Sequence, residues 1–229
     1  MAKTKAASHF TTAFFTFLRD LAANNTREWF TAHKKSYEQD VKGPLLRFIA
    51  DLAPRMAKVS RFIEVDPKPV GGSMMRLNRD TRFAKDKSPY KTNAGGMFVH
   101  NACGELMLGY RLCMGPDSGR GKGAGQIQAH VGLWEPDGAT VEAVRRHILA
   151  RPREWTAAAG PKALAGYQWE GESLKRPPKV DGEPVPADHP LAPDLMRKSQ
   201  AAVTTFCERD ACSPDFLDAY VASARAGAP

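Results

Sequence analysis

Between residues 95 and 134 the apolar residues recur with a period of two, and this pattern constrains the fold more than any other. It covers three runs, GGMFVHN, GELMLGYRLCM and GQIQAHVGLW, which turn-forming residues separate. In the second run large apolar side chains occupy every second position: Leu106, Leu108, Tyr110 and Leu112. Because successive side chains of a strand point to opposite faces, this run has one core face. The three runs therefore predict an antiparallel meander.

Upstream of these runs the apolar spacing is helical. Apolar residues at three- and four-residue intervals predict an amphipathic helix from Phe10 to Ala23, and Arg19-Asp20 argues against a signal peptide. A second helix is predicted to begin at the N-cap Asn25-Thr26. A third is predicted over Leu45 to Val59, after a break at Gly43-Pro44. Three helices therefore precede the strands.

The chain after Trp134 favours helices and loops. A helix is predicted from a cap near Thr140, a shorter one in RPREWTAAAG, short extended pieces in GYQWEGESL, a helical turn over Leu191 to Arg197 and a last helix over Asp215 to Ala224. The Pro-rich segment KRPPKVDGEPVPADHPLAPD is predicted to be a surface loop. The fold class is therefore α+β, with N-terminal helices packed on a central antiparallel sheet and further helices and a Pro-rich loop toward the C-terminus.

A length of 229 residues favours a single domain over residues 1–229. We divide it into a helical part (about 8–60), a part with a charged motif and the sheet (about 73–135), and a helix- and loop-rich part (about 136–229). The positive charge is concentrated toward the start. Residues 1–133 hold 21 Lys and Arg against 11 Asp and Glu, whereas residues 134–229 hold 12 against 14. This asymmetry favours anionic partners for the first part: phosphate-bearing small molecules, nucleic acid or acidic protein.

Composition also argues against several classes. No stretch approaches eighteen uninterrupted apolar residues, so no membrane span is predicted. The four cysteines, at positions 103, 113, 207 and 212, form no CxxC pair, which favours reduced thiols and a cytoplasmic location over a Cys103–Cys113 bridge across a hairpin. The six histidines are dispersed, so we predict neither a metal nor a cofactor. The glycine-rich PDSGRGKGAG lacks the GxxxxGK[ST] spacing and is predicted to be a flexible hairpin loop.

One charged stretch stands apart, MMRLNRDTRFAKDKSPYKTN, at residues 74–93. From Arg76 to Lys91 it holds six basic side chains and two aspartates. A strand and a helix both fit its first half, although Pro89 forces the chain to be extended at Ser88. Neighbouring arginines repel one another unless an anion or a carboxylate lies between them, so the stretch forms either an anion site or an Arg/Asp network with its lysines in water.

The run Arg76-x-x-Arg79-Asp80-Thr81-Arg82-Phe83, followed by Asp86-Lys87-x-Pro89-Tyr90-Lys91-Thr92, resembles the signature of a bacterial domain-of-unknown-function family, number two-four-six-one. Further landmarks follow the same order: Asn24-Asn25-x-Arg27-Glu28-Trp29-Phe30, Gly132-Leu133-Trp134-x-Pro136, Leu174-Lys175-Arg176-x-Pro178-Lys179 and Asp188-His189-Pro190. The chain departs from the family where three glycines tend to precede the Leu-Trp pair, since it has Gln128-Ala129-His130-Val131-Gly132 there. The resemblance brings no activity, substrate or cofactor, but it implies that the motif acts as one unit.

As a unit, the motif predicts a receptor for phosphate or carboxylate, with arginine forks, lysine point charges and a tyrosine hydroxyl. The predicted ligand-binding residues are Arg76, Arg79, Asp80, Arg82, Lys87, Tyr90 and Lys91. Candidates for proton transfer are Asp80, His100, His130 and Asp188-His189. The two strand histidines lie on predicted strands that could be neighbours, although packed histidines are more common there. Asp80, between two arginines, is better suited to orient guanidinium groups than to accept a proton.

Three functions remain open. The first is a pocket for a small anionic ligand, with or without catalysis. The second is a nucleic-acid-binding module in which Phe83 and Tyr90 stack on bases. The third is a structural or protein-interaction domain whose Arg/Asp pairs form a buried network. The sequence predicts no oligomeric state.

Overall fold

The structure is a computed structural model, and it describes residues 7–104, 106–116, 118 and 127–227. Most of the predicted glycine-rich loop, residues 119–126, lies outside these ranges. The helices are α1 (Thr12–Ala23), α2 (Arg27–Ala32), α3 (Lys34–Ser36), α4 (Gly43–Met56), α5 (Gly138–Ala150), α6 (Pro152–Ala159), α7 (Ala192–Leu195), α8 (Glu208–Ala211) and α9 (Phe216–Ala226). The strands are β1 (Ala94–Val99), β2 (Met107–Met114), β3 (Ile127–Trp134), β4 (Gln168–Glu170), β5 (Lys179–Val180), β6 (Glu183–Pro184) and β7 (Gln200–Phe206).

The predicted meander is present and forms one side of a larger sheet. Strands β1, β2 and β3 pair antiparallel in sequence order. The five-stranded sheet then continues through β7 and β4, both antiparallel to their neighbours, while β5 and β6 form a separate hairpin. The fold is therefore α+β, as predicted, but the sheet extends beyond the predicted limits of residues 73 and 135.

The N-terminal helices follow the predicted pattern with one correction. The hydroxyl of Thr26 accepts a hydrogen bond from the backbone N–H of Trp29 at 3.2 Å, which confirms the predicted N-cap. The predicted break at Gly43-Pro44 is wrong. A π-helical turn over Tyr37–Lys42 leads directly into α4, and Pro44 lies in the first turn of that helix. The helix continues through this place because the N–H of Gly43 still donates to the carbonyl of Glu38, and Pro44 itself has no N–H to donate.

The main core lies between the N-terminal helices, α9 and one face of the sheet. Aromatic rings from the segment before α1, from α4 and from α9 meet there, with Phe10, Phe48 and Phe216 all buried. The sheet contributes the predicted alternating face of β2, with Tyr110 and Leu112 both buried. Helices therefore cover one face of the sheet. Because side chains alternate along a strand, the intervening side chains of β2 lie on the opposite face.

The opposite face of β2 and β3 carries polar side chains. In the strand register Arg111 lies opposite His130, and Cys113 lies opposite Gln128. His130 is only 3% exposed, and Cys113 and Gln128 are also buried. Buried polar groups are uncommon without hydrogen-bond partners, so this face is where a functional arrangement is to be sought.

A smaller cluster lies in the C-terminal part. It contains buried aliphatic side chains from α5, the β5–β6 hairpin and α7: Ile148, Val180, Val185 and Leu195. Arg145 Nε donates to the carbonyl of Leu195 at 2.8 Å, and Arg146 pairs with Asp181 at 3.1 Å. The Pro-rich segment is therefore held against α5 by apolar and charged contacts.

Candidate functional site

The charged motif is extended and pairs with the free edge of β1. The N–H of Met75 donates to the carbonyl of Gly95 at 2.9 Å, and the N–H of Met97 donates to the carbonyl of Ser73 at 2.8 Å. The chain then turns back on itself, since the N–H of Lys91 donates to the carbonyl of Leu77 at 2.8 Å. Of the two conformations that the sequence left open, the extended one is therefore correct.

The motif is anchored to the N-terminal helices through Tyr90. The amide of Asn25 donates to the carbonyl of Tyr90 at 2.9 Å and accepts from its N–H at 3.1 Å. The Tyr90 ring packs on Phe30, with ring centroids 4.4 Å apart. Tyr90, predicted as a ligand donor, therefore lies on the helix side of the motif.

Both aspartates of the motif are paired with arginines. Asp86 accepts from Arg79 at 2.5 Å, and Asp80 accepts from Arg82 Nη2 at 2.7 Å and Nε at 3.0 Å. The predicted Arg/Asp pairs are thus formed, but they lie at the surface, with the side chain of Arg82 77% exposed and that of Asp86 62% exposed. Exposed pairs of this kind contribute little stability.

The electrostatics of these pairs keep both carboxylates ionised. Hydrogen bonds from the Ser88 hydroxyl and from Arg79 lower the pKa of Asp86. Hydrogen bonds from the side chain and backbone of Arg82 lower the pKa of Asp80. A carboxylate that is stabilised in its charged form is a weak base, so Asp80 orients Arg82 and is poorly suited to proton abstraction.

Beside these pairs lies a pocket of about 490 Å³ at the junction of the motif and the sheet. Its lining comes from the motif, from the start of β1 and from β2: Met75, Arg79, Asp80, Asp86, Lys91, Asn93 and Arg111. The motif supplies both carboxylates, but each is already matched by an arginine. The pocket therefore keeps the charge of its remaining two cations, Lys91 and Arg111.

Lys91 and Arg111 have no carboxylate partner among the residues that the structure describes. Arg111 Nε donates to Cys113 Sγ at 3.0 Å, and burial raises the pKa of that thiol. The pKa of Lys91 is lowered by burial and then by the nearby charges of Arg76 and Arg111. Two partly buried cations thus lie in each other's field without a counter-ion, and an anion between them would relieve this repulsion.

The predicted ligand residues divide into two groups. Arg79, Asp80 and Lys91 line the pocket. The others lie outside the lining: Arg76, Arg82, Lys87 and Tyr90. Lys87 donates instead to the carbonyl of Thr81 at 2.9 Å and so holds the loop. Arg76 faces a groove beside Tyr37 on the helical side, from which its charge still acts on Lys91.

The sequence interpretation missed Arg111. A signal for it was present, because Arg111 interrupts the apolar run of β2 at a position that alternation places on the face opposite the core. What the alternation could not indicate is that the motif folds over the same face and brings Lys91 near Arg111.

The two strand histidines lie on opposite faces of the sheet. His100 follows the end of β1, and its Nδ1 lies 3.2 Å from Cys103 Sγ. His130 lies on β3, opposite Arg111, and β2 separates β1 from β3. The predicted strands are therefore not neighbours, and the two histidines do not form one site. His189 is also separate, since its Nδ1 accepts from the N–H of Leu191 within a C-terminal turn, and Asp188 is exposed.

His130 is held by an acidic partner. Its Nδ1 lies 2.9 Å from Glu170 Oε2, on β4, and its side chain is 2% exposed. Its Nε2 is buried and has no hydrogen-bond partner among the described residues. His130 lies opposite Arg111 in the strand register, on the same polar face. Its Nε2 is not accessible to solvent.

The described ranges contain no group of three or more His, Cys, Asp or Glu side chains placed to hold a metal ion. None of the helices in the described part combines the length and the apolar composition that crossing a membrane requires. All four cysteines are unpaired thiols.

Together these features define a class of protein: an α+β fold in which an Arg/Asp-rich motif pairs with a sheet edge beside a cationic pocket. A family model described as Conserved hypothetical protein (DUF2461) matches residues 13–229, and the chain therefore belongs to that family. The resemblance found in the sequence is thereby confirmed. No curated protein and no solved structure matches the chain.

Proposed function

We propose that this protein binds a small phosphate- or carboxylate-bearing ligand in the pocket between Lys91 and Arg111. The observation that carries the proposal is the pair of partly buried cations without a carboxylate partner in the described residues. A cation that has lost part of its hydration and gained no counter-ion is costly to the fold. Such an arrangement of cations is typical of an anion-binding site.

The pocket also suits this ligand class in size and chemistry. A volume of about 490 Å³ lies within the range of small-molecule sites. Arg111 presents a planar set of donors that matches a carboxylate or a phosphate, and Lys91 adds a point charge. The Arg79–Asp86 pair forms part of the lining beside these two cations.

The proposal concerns binding, because neither carboxylate of the pocket lining is suited to act as a base. Asp80 and Asp86 are the acidic groups of the lining, and both are stabilised as carboxylates by hydrogen bonds. The Nε2 of His130 is buried. Catalysis would require a base or nucleophile brought by the ligand or by a change in conformation.

Isothermal titration with phosphate, sulfate and citrate tests the proposal directly. We expect Lys91→Gln and Arg111→Gln each to weaken binding about tenfold or more, because each removes a charge-assisted hydrogen bond. The exposed Lys85 and Arg47 provide matched controls, and Lys85→Gln and Arg47→Gln should bind as the wild type does. If the wild type binds none of the three anions, or if all four variants bind equally, the proposal is wrong.

A further inference from the structure

The side chain of Phe83 is 95% exposed, although it belongs to the charged motif. Large apolar side chains are usually buried at least in part. A single exposed one is informative mainly when it lies beside a functional site. Phe83 follows Asp80, which lines the pocket, by three residues. Three residues span at most about 10 Å, so the backbone of Phe83 lies no further than that from the backbone of Asp80.

The surroundings of Phe83 are cationic. The guanidinium carbon of Arg82 lies 5.9 Å from the centroid of the Phe83 ring. Arg82 is itself fixed by hydrogen bonds from its Nε and Nη2 to Asp80, so its guanidinium lies next to a residue that lines the pocket. Lys85 is exposed in the same loop. An aromatic face beside a guanidinium favours a flat ring that belongs to an anionic molecule.

We propose that Phe83 forms the second half of the site and stacks on a nucleobase whose phosphate lies between Lys91 and Arg111. This inference rests on the proposed function, and it narrows the ligand to a nucleoside phosphate. Stacking on an aromatic side chain tolerates any base because every base has a π-face, so specificity for one base is not implied. The shared chemistry, a base joined to a phosphate, occurs both in free nucleotides and at a phosphorylated end of a nucleic-acid chain.

The choice of a nucleobase over a lipid surface follows from the small apolar area that the motif exposes. Binding to a membrane surface scales with the apolar area buried, and Phe83 is the one large apolar side chain that the motif, described in full by the structure, exposes. Tyr90, the other aromatic residue of the motif, packs on Phe30, so the motif offers one stacking ring beside one anion pocket. That is the arrangement needed for a single nucleotide unit.

The test compares AMP with ribose 5-phosphate, which carries the same phosphate without the base. Isothermal titration of the wild type should show AMP binding about tenfold more tightly, a usual size for one base stacked on an aromatic ring. Phe83→Ala should remove this difference while leaving the affinity for ribose 5-phosphate unchanged, and Phe83→Trp should retain it. Val70, also exposed at 87%, provides the control Val70→Ala, which should behave as the wild type.

The outcomes separate this inference from the proposed function. If ribose 5-phosphate binds through Lys91 and Arg111 but AMP binds no more tightly, the inference is overturned and the anion site stands. If neither compound binds, the inference fails, and titration with inorganic phosphate, sulfate and citrate decides the anion site separately. Tighter binding of a single-stranded oligothymidylate with a 5′-phosphate than of its unphosphorylated form, lost in Phe83→Ala, would support the same chemistry and assign its source to chain ends. Equal binding of the two oligonucleotides together with tighter binding of AMP would assign the source to free nucleotides, whereas Phe83-dependent binding to anionic vesicles without binding of AMP would overturn the inference.

Discussion

At the scale of single residues, Lys91 shows how a partly buried charge in a pocket can lower the stability of the fold. Burial, Arg76 and Arg111 all lower its pKa, so the native state holds this proton more weakly than the unfolded chain does. The positive charge is therefore a cost to the ligand-free protein. Residues retained at such a cost are more often functional than structural.

This leads to a prediction for Lys91→Met, which keeps most of the side-chain volume and removes the charge. We expect the unfolding free energy of the ligand-free protein to rise, by less than about 1 kcal/mol because water screens a partly exposed group. The gain should be largest at neutral pH and should shrink as the pH rises from the lowered native pKa through the ordinary value of 10.5, and it should vanish above that value, where the wild-type lysine is neutral in both states.

Denaturant unfolding of Lys91→Met and the wild type at several pH values between 7 and 10.5 measures this difference. Lys85→Met is the control, since Lys85 is exposed in the same loop. A loss of stability in Lys91→Met, independent of pH, would indicate that Lys91 has a structural role instead.

At the scale of elements, the sheet depends on glycines where strands approach closely. Gly132 on β3 lies opposite Gly109 on β2, and both have positive φ, at +135° and +151°. A Cβ atom at Gly132 would lie 2.0 Å from the carbonyl oxygen of Gln200 on β7, and one at Gly109 would lie 2.1 Å from that of Phe98. Both contacts are with backbone, which cannot move without disturbing the sheet that carries Arg111 and His130.

Gly132→Ala should therefore destabilise the protein by about 2 kcal/mol or more, through the clash and the strained backbone together. Gly138 provides the control, because a Cβ there meets nothing within 4 Å and the residue begins α5. Thermal unfolding of Gly132→Ala and Gly138→Ala measures the contrast. Equal melting temperatures would mean that the strands adjust to the added methyl group.

At the scale of the whole molecule, two separate hydrophobic clusters divide the chain. The main core joins the N-terminal helices, the sheet and α9, whereas the smaller cluster joins α5, the β5–β6 hairpin and α7. The pocket that Lys91 and Arg111 line is on the side of the main core, at the junction of the motif and β2. The C-terminal cluster is therefore expected to open without disturbing the pocket.

Leu195→Ala tests this separation, since Leu195 is fully buried in the smaller cluster. Removing this side chain should cost about 2 to 5 kcal/mol locally. Hydrogen exchange should accelerate over residues 138–198 and remain unchanged over α1 and β1. Equal acceleration throughout the chain would show that the two clusters unfold as one unit.

The sequence by itself determined the local structure, because periodicity and capping act between near neighbours in the chain. The helix that ends at Ala23, the cap at Thr26 and the strand alternation that buries Leu112 are of this kind. The motif was also evident from its composition, and three of its predicted ligand residues, Arg79, Asp80 and Lys91, line one pocket.

The tertiary structure alone decided which cations meet. Pairing of the motif with the edge of β1 places Lys91 near Arg111, which is twenty residues further along the chain. Arg82 instead forms an ion pair with Asp80. Pairing of β3 with β7, across more than sixty residues, widens the sheet and places β4, with Glu170, within reach of His130. Such contacts depend on strand register and chain reversal over long separations, and a pattern of period two does not specify its partner strand.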